Sequence, residues 1–235
     1  MTIDEFKKGL ASAFLHTLPV LTGYLFLGIA FGVLLSSKGY GVWWSLCMAL
    51  LIYAGSMQFM AVGLMAAGFN PISCFFLTLA VNARHIFYGI SMLERFRTYG
   101  RAKYYMIFAL TDETFAVLCS AKPPHGVREE PFNLAVCVLN QLYWVVGCTA
   151  GGLLGTTLPF NTQGIDFVMT ALFTITVLGQ WSNPANRRPA LIGFSISIFC
   201  RLLFGPQWFI IAAMAVMIAI FGVTKNTLGQ RMNNP

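Results

Sequence analysis

Residues 72–93 form an apolar run long enough to cross a bilayer, and within it stands Val81-Asn82-Ala83-Arg84-His85-Ile86-Phe87-Tyr88-Gly89. A charge inside a membrane span costs several kcal/mol unless it is paired or lines a wet cavity. The fold must therefore bring Arg84 a counter-charge or a route to the surface. Asp112 and Glu113, in the middle of the next apolar segment from Tyr104 to Ala121, are the nearest counter-charges. If the two segments pack side by side as helices, the acids neutralise Arg84 in a low-dielectric interior. The plainer alternative is that Arg84 snorkels to the surface, where Glu94, Arg95 and Arg97 follow closely.

Composition decides the class. Of 235 residues 57% are hydrophobic and 10% charged, against about 25% charged in ordinary soluble domains. The chain reads as an all-α polytopic membrane protein of about seven to eight segments, some broken or re-entrant. It forms one domain over residues 1–235, with a polar lead at 1–9 and a polar tail at 225–235. The net charge of +7 is spread over loops and ends, without the basic, aromatic-laced face that nucleic acid would need, so the lipid bilayer is the expected partner. Cys47, Cys74, Cys119, Cys137, Cys148 and Cys200 fall singly in apolar runs and read as buried packing. Nothing calls for a metal or cofactor.

In chain order, the first segment, Leu10 to Leu35, holds Pro19, Gly23, Gly28 and Gly32. It is either a kinked helix with a glycine packing face or a helix broken at Pro19. His16, a turn from Pro19, reads as an interfacial or packed side chain. Trp43 to Ala66 reads as a second span centred on Tyr53-Ala54-Gly55-Ser56-Met57-Gln58-Phe59. Small residues there allow close helix approach, and the Gln58 amide must bond another helix, an opened backbone or a substrate. Asn70-Pro71 suits the start of the third segment. There Arg84 and Tyr88 share one face, and Asn82 and His85 an adjacent one.

Thr111 suits a helix cap at a break in the Tyr104–Ala121 segment, with Asp112 and Glu113 in the first turn beyond it, where the helix dipole favours acids. Lys122 to Pro131 reads as a linker without chemistry. Further segments run from Phe132 to Leu154, with Asn140, Gln141, Tyr143 and Trp144, from Asp166 to Trp181, from the Arg187-Arg188 region to Pro206, and from Gln207 to Val223. Arg201 reads as snorkelling. Gln58, Asn70-Pro71 and Arg84 to Gly89 are loosely echoed by Gln180, Asn183-Pro184 and Arg201 to Gly205, a weak sign of repeated halves.

Charge placement adds a parity argument. If Lys7/Lys8, the Arg95–Lys103 cluster, Arg187/Arg188 and Lys225/Arg231 all face the cytoplasm, an even number of crossings separates neighbouring clusters. Three segments lie in each of the first two intervals, so one of each triple is re-entrant, or the N-terminus lies outside. The Pro19 segment and the Asp112-Glu113 segment are the expected non-crossing elements.

Three motifs, Ile52-Tyr-Ala-Gly-Ser-Met-Gln-Phe59, Asn82-Ala-Arg-His-Ile-Phe-Tyr-Gly89 and Leu110-Thr-Asp-Glu-Thr-Phe-Ala116, resemble the AzlC-type branched-chain amino acid permease family, over nearly the whole chain. That resemblance implies a multi-pass bacterial inner-membrane exporter of valine, leucine, isoleucine or a similar neutral amino acid such as methionine. It also implies a small hydrophobic AzlD-type subunit, with a homo-oligomer of the heterodimer left open, and energy from the proton motive force. The candidate substrate-binding residues are Arg84, Asn82, Tyr88, Gln58, Tyr53 and Ser56. Asp112, Glu113 and His85 are candidates for proton coupling or ion pairing, and Phe59, Met60 and Phe115 for the walls around an aliphatic side chain. An enzyme is not expected, since no His-Glu-x-x-His or Gly-x-Ser-x-Gly occurs. A non-transporting scaffold or a passive channel fits the composition equally well.

Overall fold

The computed structural model describes residues 2–66, 71–157 and 184–232, together with positions 167, 170, 171, 174, 177, 178 and 181. Helices α1 (Ile3–Ser37), α2 (Val42–Leu51), α3 (Gly55–Ala66), α4 (Pro71–Phe96), α5 (Ala102–Phe108), α6 (Asp112–Ser120), α7 (Glu129–Thr157) and α8 (Pro184–Met232) account for nearly all of them, with no strand among the described residues. The architecture is all-α, as composition requires of a chain with this much apolar length. The chain divides into two compact units, Met1–Met169 and Thr170–Pro235.

In the first unit α1 and α7 form a parallel seam. Gly9 lies against Pro131, Gly28 against Gly147 and Cys148, Gly32 against Gly151 and Gly152, and Gly155 against Ser36. A Cβ placed on Gly28 would sit 2.8 Å from the Cys148 nitrogen, so only glycine permits this backbone approach. Van der Waals packing of small residues is what joins helices where lipid removes the hydrophobic drive. Both helices are long and apolar enough to cross a membrane. α1 is helical without interruption, with Pro19 inside it, and starts at Ile3 under a Thr2–Glu5 capping box rather than at Leu10. It is therefore not the non-crossing element.

That role falls to Trp43–Ala66, which is no single span. It breaks at Ile52–Ala54 into α2 and α3, of 10 and 12 residues, each too short to cross alone. Contacts with α7 trace its course. Val42 lies against Gly152, Ser45 Oγ donates to the Cys148 carbonyl at 2.7 Å, and the Leu50 carbonyl accepts from Gln141 at 3.3 Å. The chain then turns, since Gln58 accepts from Trp144 at 2.8 Å and Phe59 packs on Phe31 of α1. α2–α3 is thus a re-entrant hairpin that enters and leaves at the far end of the seam.

The Tyr104–Ala121 segment is its counterpart. It breaks at Ala109–Thr111. α5 climbs from Tyr99, which accepts from Asn133 at 3.0 Å, to Tyr105, which donates to Gln141 at 2.6 Å. α6 returns from Thr114, bonded to Asn140 at 3.1 Å, to Leu118, whose carbonyl accepts from Arg95. The two hairpins enter from opposite ends and meet tip to tip beside the middle of α7. Each of the first two triples thus contains one segment that turns back on itself, while Asp166–Trp181 of the second triple lies largely outside the described residues. The 26 residues of α4 span about 39 Å between the two ends.

The lower end carries the ions. Arg95 lies 2.6 Å from Glu129, and Arg128 lies 2.9 Å from Glu5 and 3.6 Å from Glu130. The Lys122–Pro131 linker, read from sequence as inert, therefore ties the starts of α1 and α7 to the end of α4, and α7 begins at Glu129 rather than Phe132. Cys137, Cys148 and Cys200 are buried as expected, but Cys74 is only half-buried and Cys47 and Cys119 are exposed among the described residues. Arg84 and Arg201 part ways: the first turns inward, while the exposed Arg201 lies 5.7 Å over the Phe209 ring.

In the second unit Arg187–Gly205 is long and apolar enough to span a membrane. α8 is interrupted at Gly205 (φ 68°, ψ −177°), a conformation that glycine alone adopts without strain. Gly193 meets Met217 across that turn. Gly89 stays helical, so its pairing with Gly205 in the sequence echo has no backbone equivalent. Asp166, Gln180 and Asn183 lie outside the described residues.

Single cysteines placed at Ser37 and Pro123 in a cysteine-free background test this path. An impermeant thiol reagent added outside cells should label position 37 and spare position 123. Labelling of 123 from outside would exclude the α5–α6 hairpin as drawn. Gly28→Ala should lower stability by about 1–3 kcal/mol in a detergent melting assay, and an unchanged melt would refute the seam.

Candidate functional site

The site is built where the hairpin tips meet α4. Its first half is the turn at Tyr53, the one non-glycine position among the described residues with positive φ (43°). Holding a tyrosine there costs of order 1–3 kcal/mol, so the surroundings must enforce it. The Tyr53 ring lies 6.2 Å from Phe108 at the facing tip. Gly55 follows with the Trp144 ring 3.2 Å from where its Cβ would be, and Ser56 opens α3. The second half is the start of α6. Thr111 caps it by accepting from the Thr114 N–H at 3.2 Å, and Asp112 and Glu113 fill the first turn. The helix dipole favours acids at that end.

Arg84 joins the two halves. Its Nη1 lies 2.5 Å from Asp112 Oδ2, and its Nη2 donates to Ser56 Oγ at 2.9 Å. Tyr88, one turn on, donates to Asp112 Oδ1 at 2.9 Å. The pairing inferred from sequence is thus present, but through Asp112 alone. Glu113 takes the Tyr24 hydroxyl of α1 at 2.8 Å instead. About a third of the Arg84 and Asp112 side chains stays accessible (33% and 30%), so the pair is partly sheltered rather than sealed.

Of the other candidates, Gln58 is fully buried and accepts from Trp144. His85 lies edge-on to Tyr88 with ring centroids 5.8 Å apart. Phe115 stacks on Tyr88 at 4.6 Å and so stands beside Arg84, whereas Phe59 turns to Phe31, away from it. Five buried polar atoms have no hydrogen-bond partner among the described residues: Tyr53 Oη, Gln58 Nε2, Asn82 Oδ1, Arg84 Nε and Asn140 Oδ1. Tyr53 Oη lies near Thr114 without bonding geometry. Buried groups of this kind are ordinarily satisfied, and all five lie on the elements that meet at the tips.

Sequence reasoning missed Tyr24, Thr114 and the role of Asn140 and Trp144. The last two are four apart on α7 and so share a face, which was a usable signal. Tyr24 carried none, because its partners are 87 and 89 residues away.

Two re-entrant half-helix pairs converging on a charged centre at mid-membrane define a transporter-like membrane protein. The family model described as "AzlC protein" matches residues 19–158, which covers both hairpins, α4, all of α7 and the second half of α1. The chain belongs to the AzlC family. It is 43% identical over 217 residues, 92% of its length and 85% of the relative's, to the branched-chain amino acid transport protein AzlC of Bacillus subtilis. It is 40% identical to a Helicobacter pylori uncharacterized membrane protein over 92% of this chain and 95% of that one. Against the inner membrane protein YgaZ of Escherichia coli it is 27% identical over 71% of each chain. No solved structure matches.

Removing one charge of the central pair strands the other. Arg84→Ala and Asp112→Ala should each cost about 1–3 kcal/mol, discounted for the accessible third of the pair, and the double variant should cost less than their sum in detergent melts. Strict additivity would show that the pair is not coupled.

Proposed function

We propose that this chain is a secondary transporter that exports branched-chain or similar neutral amino acids across the inner membrane. One observation carries the reading: a single arginine and a single aspartate, held 2.5 Å apart at the meeting point of two re-entrant tips. A zwitterion offers the complement of that pair. Its carboxylate would displace Asp112 from Arg84, with Ser56 and the α3 N-terminus adding donors. Its ammonium would take Asp112 and the Tyr88 hydroxyl. Inserting a dipole of matched charge keeps the site neutral throughout, which a low-dielectric interior demands.

The aliphatic side chain would lie on Phe115 and Met60, beside Tyr88. The unsatisfied atoms of Tyr53, Gln58, Asn82 and Asn140 suit a ligand or water that visits the tips. Energy would come from protons, with Asp112, Glu113 or His85 as the carrier, and a small hydrophobic AzlD-type subunit would complete the working unit. The relationship to a protein named for branched-chain amino acid transport supports the substrate class. A scaffold or passive channel would not require an ion pair bridging both tips.

Proteoliposomes containing this chain, with and without the small subunit, should release labelled valine saturably under an imposed pH gradient. Arg84→Ala should reduce release by at least about a hundredfold, the loss of roughly 3 kcal/mol of charge-assisted binding. Absence of release of both valine and methionine from the folded pair would overturn the proposal.

A further inference from the structure

Three polar contacts join α4 to α6 among the described residues. Two sit at the start of α6, where Arg84 pairs with Asp112 and the Tyr88 hydroxyl donates to it. The third is at the other end, where Arg95 Nη1 donates to the Leu118 carbonyl. Arg84 and Arg95 are eleven residues apart on one continuous helix, so they lie within about 20° of one face and roughly 16 Å apart along the axis. One face of α4 thus carries a cation for each end of α6.

Local structure explains the lower contact. α6 stops where Ala121 turns extended (φ −86°, ψ 142°), and a helix end leaves its last carbonyls without N–H partners. The Val117 carbonyl accepts from the Ala121 N–H at 2.8 Å. The carbonyl of Leu118, a fully buried residue, takes the Arg95 cation, which the helix dipole favours at that end. The rest of the guanidinium is held by α7. Its Nε and Nη2 each lie 2.6 Å from Glu129 Oε1, and its Nη2 donates to Asn133 Oδ1 at 3.4 Å. Asn133 is fully buried, and its amide donates to Tyr99 Oη just past the end of α4. A planar fork with five donors makes this set of contacts, whereas a lysine ammonium cannot reach all of them.

The two ends of α6 differ in what a substrate would do to them. In the transport reading a zwitterion takes over Arg84, Asp112 and the Tyr88 hydroxyl, which together make both polar contacts between α4 and the α6 start. The Arg95 contact is left to keep α6 in register with α4 and, through Glu129 and Asn133, with α7. α6 runs for nine residues without a break, so Asp112 and Leu118 belong to one stiff piece. Fixing one end restricts where the other can go.

We infer that Arg95 is a positioning residue for the central pair: it holds the end of α6 against α4 and α7, and so sets Asp112 opposite Arg84. This role rests on the transport reading above and deepens it, because the substrate-binding pair then depends on a residue outside the site.

The non-additivity of Arg84→Ala and Asp112→Ala in detergent melts reports how well the pair is aligned, and it needs no substrate. It is measured again in the full-length chain carrying Arg95→Met, which keeps the apolar stem and loses the fork. A loss of stability alone would lower all the melts together and leave the non-additivity as it was. Misplacement of Asp112 would remove it, so in Arg95→Met the two substitutions should become additive. Where that variant does not fold, Arg95→Lys, which keeps the charge without the fork, should show a smaller non-additivity than the parent. Arg128→Met is the control, since its ion pairs at the same end run to Glu5 and Glu130 rather than to α6. It should leave the parent value unchanged. Full non-additivity in Arg95→Met, or in Arg95→Lys where the first variant does not fold, would overturn the assignment, as would an equal loss in Arg128→Met. Those results leave the transport reading standing, whereas additivity already present in the parent would overturn both.

Discussion

An arginine in the middle of a membrane-length helix has to be answered, and the rest of the first unit is arranged around that answer. Arg84 reaches Asp112 on one tip and Ser56 on the other. Neither tip could stand there as a complete helix, because a continuous helix offers neighbouring elements only side chains and keeps its backbone donors to itself. Breaking the segments at Ile52–Ala54 and Ala109–Thr111 exposes two helix starts at mid-membrane. The α6 start attracts acids and the α3 start offers donors.

Broken segments need a rigid partner. The α1–α7 seam supplies it by glycine packing along its length, and α7 then presents Asn140, Gln141, Trp144 and Cys148 in sequence to the two hairpins. The lower end is closed by exposed ion pairs among Glu5, Arg95, Arg128 and Glu129. Pairs so exposed add little stability, so registration of helix ends is their more apt role. The tips, in contrast, are joined to their surroundings by hydrogen bonds rather than by close backbone packing. A transporter needs that division between a stiff frame and elements that can release.

Part of this was legible without coordinates. The cost of burying Arg84 pointed to the acids of the following segment, and the structure places Asp112 on it. Loop charges called for a re-entrant element in each triple of segments or an outside N-terminus, and among the described residues one segment of each triple turns back on itself. The first was assigned to the wrong segment because Pro19 is a conspicuous helix breaker, whereas Ile52-Tyr53-Ala54 contains none. A proline forfeits one backbone bond, which a long packed helix tolerates. The break at Tyr53 is instead imposed by tertiary contacts with Phe108 and α7. The exposed Cys47 and Cys119 misled for a related reason, since in a membrane an apolar position need not be covered by protein.

By itself the sequence determined the solvent, the helical class and the need of Arg84 for the acids of the next segment or a route to the surface, because each follows from the cost of placing charge and unpaired backbone in lipid. Only the tertiary structure decided which segments turn back, that Asp112 and Glu113 face different helices, and that Tyr24 joins the site. Those outcomes depend on which surfaces meet, and side chains nearly ninety residues apart carry no local signal of their contact.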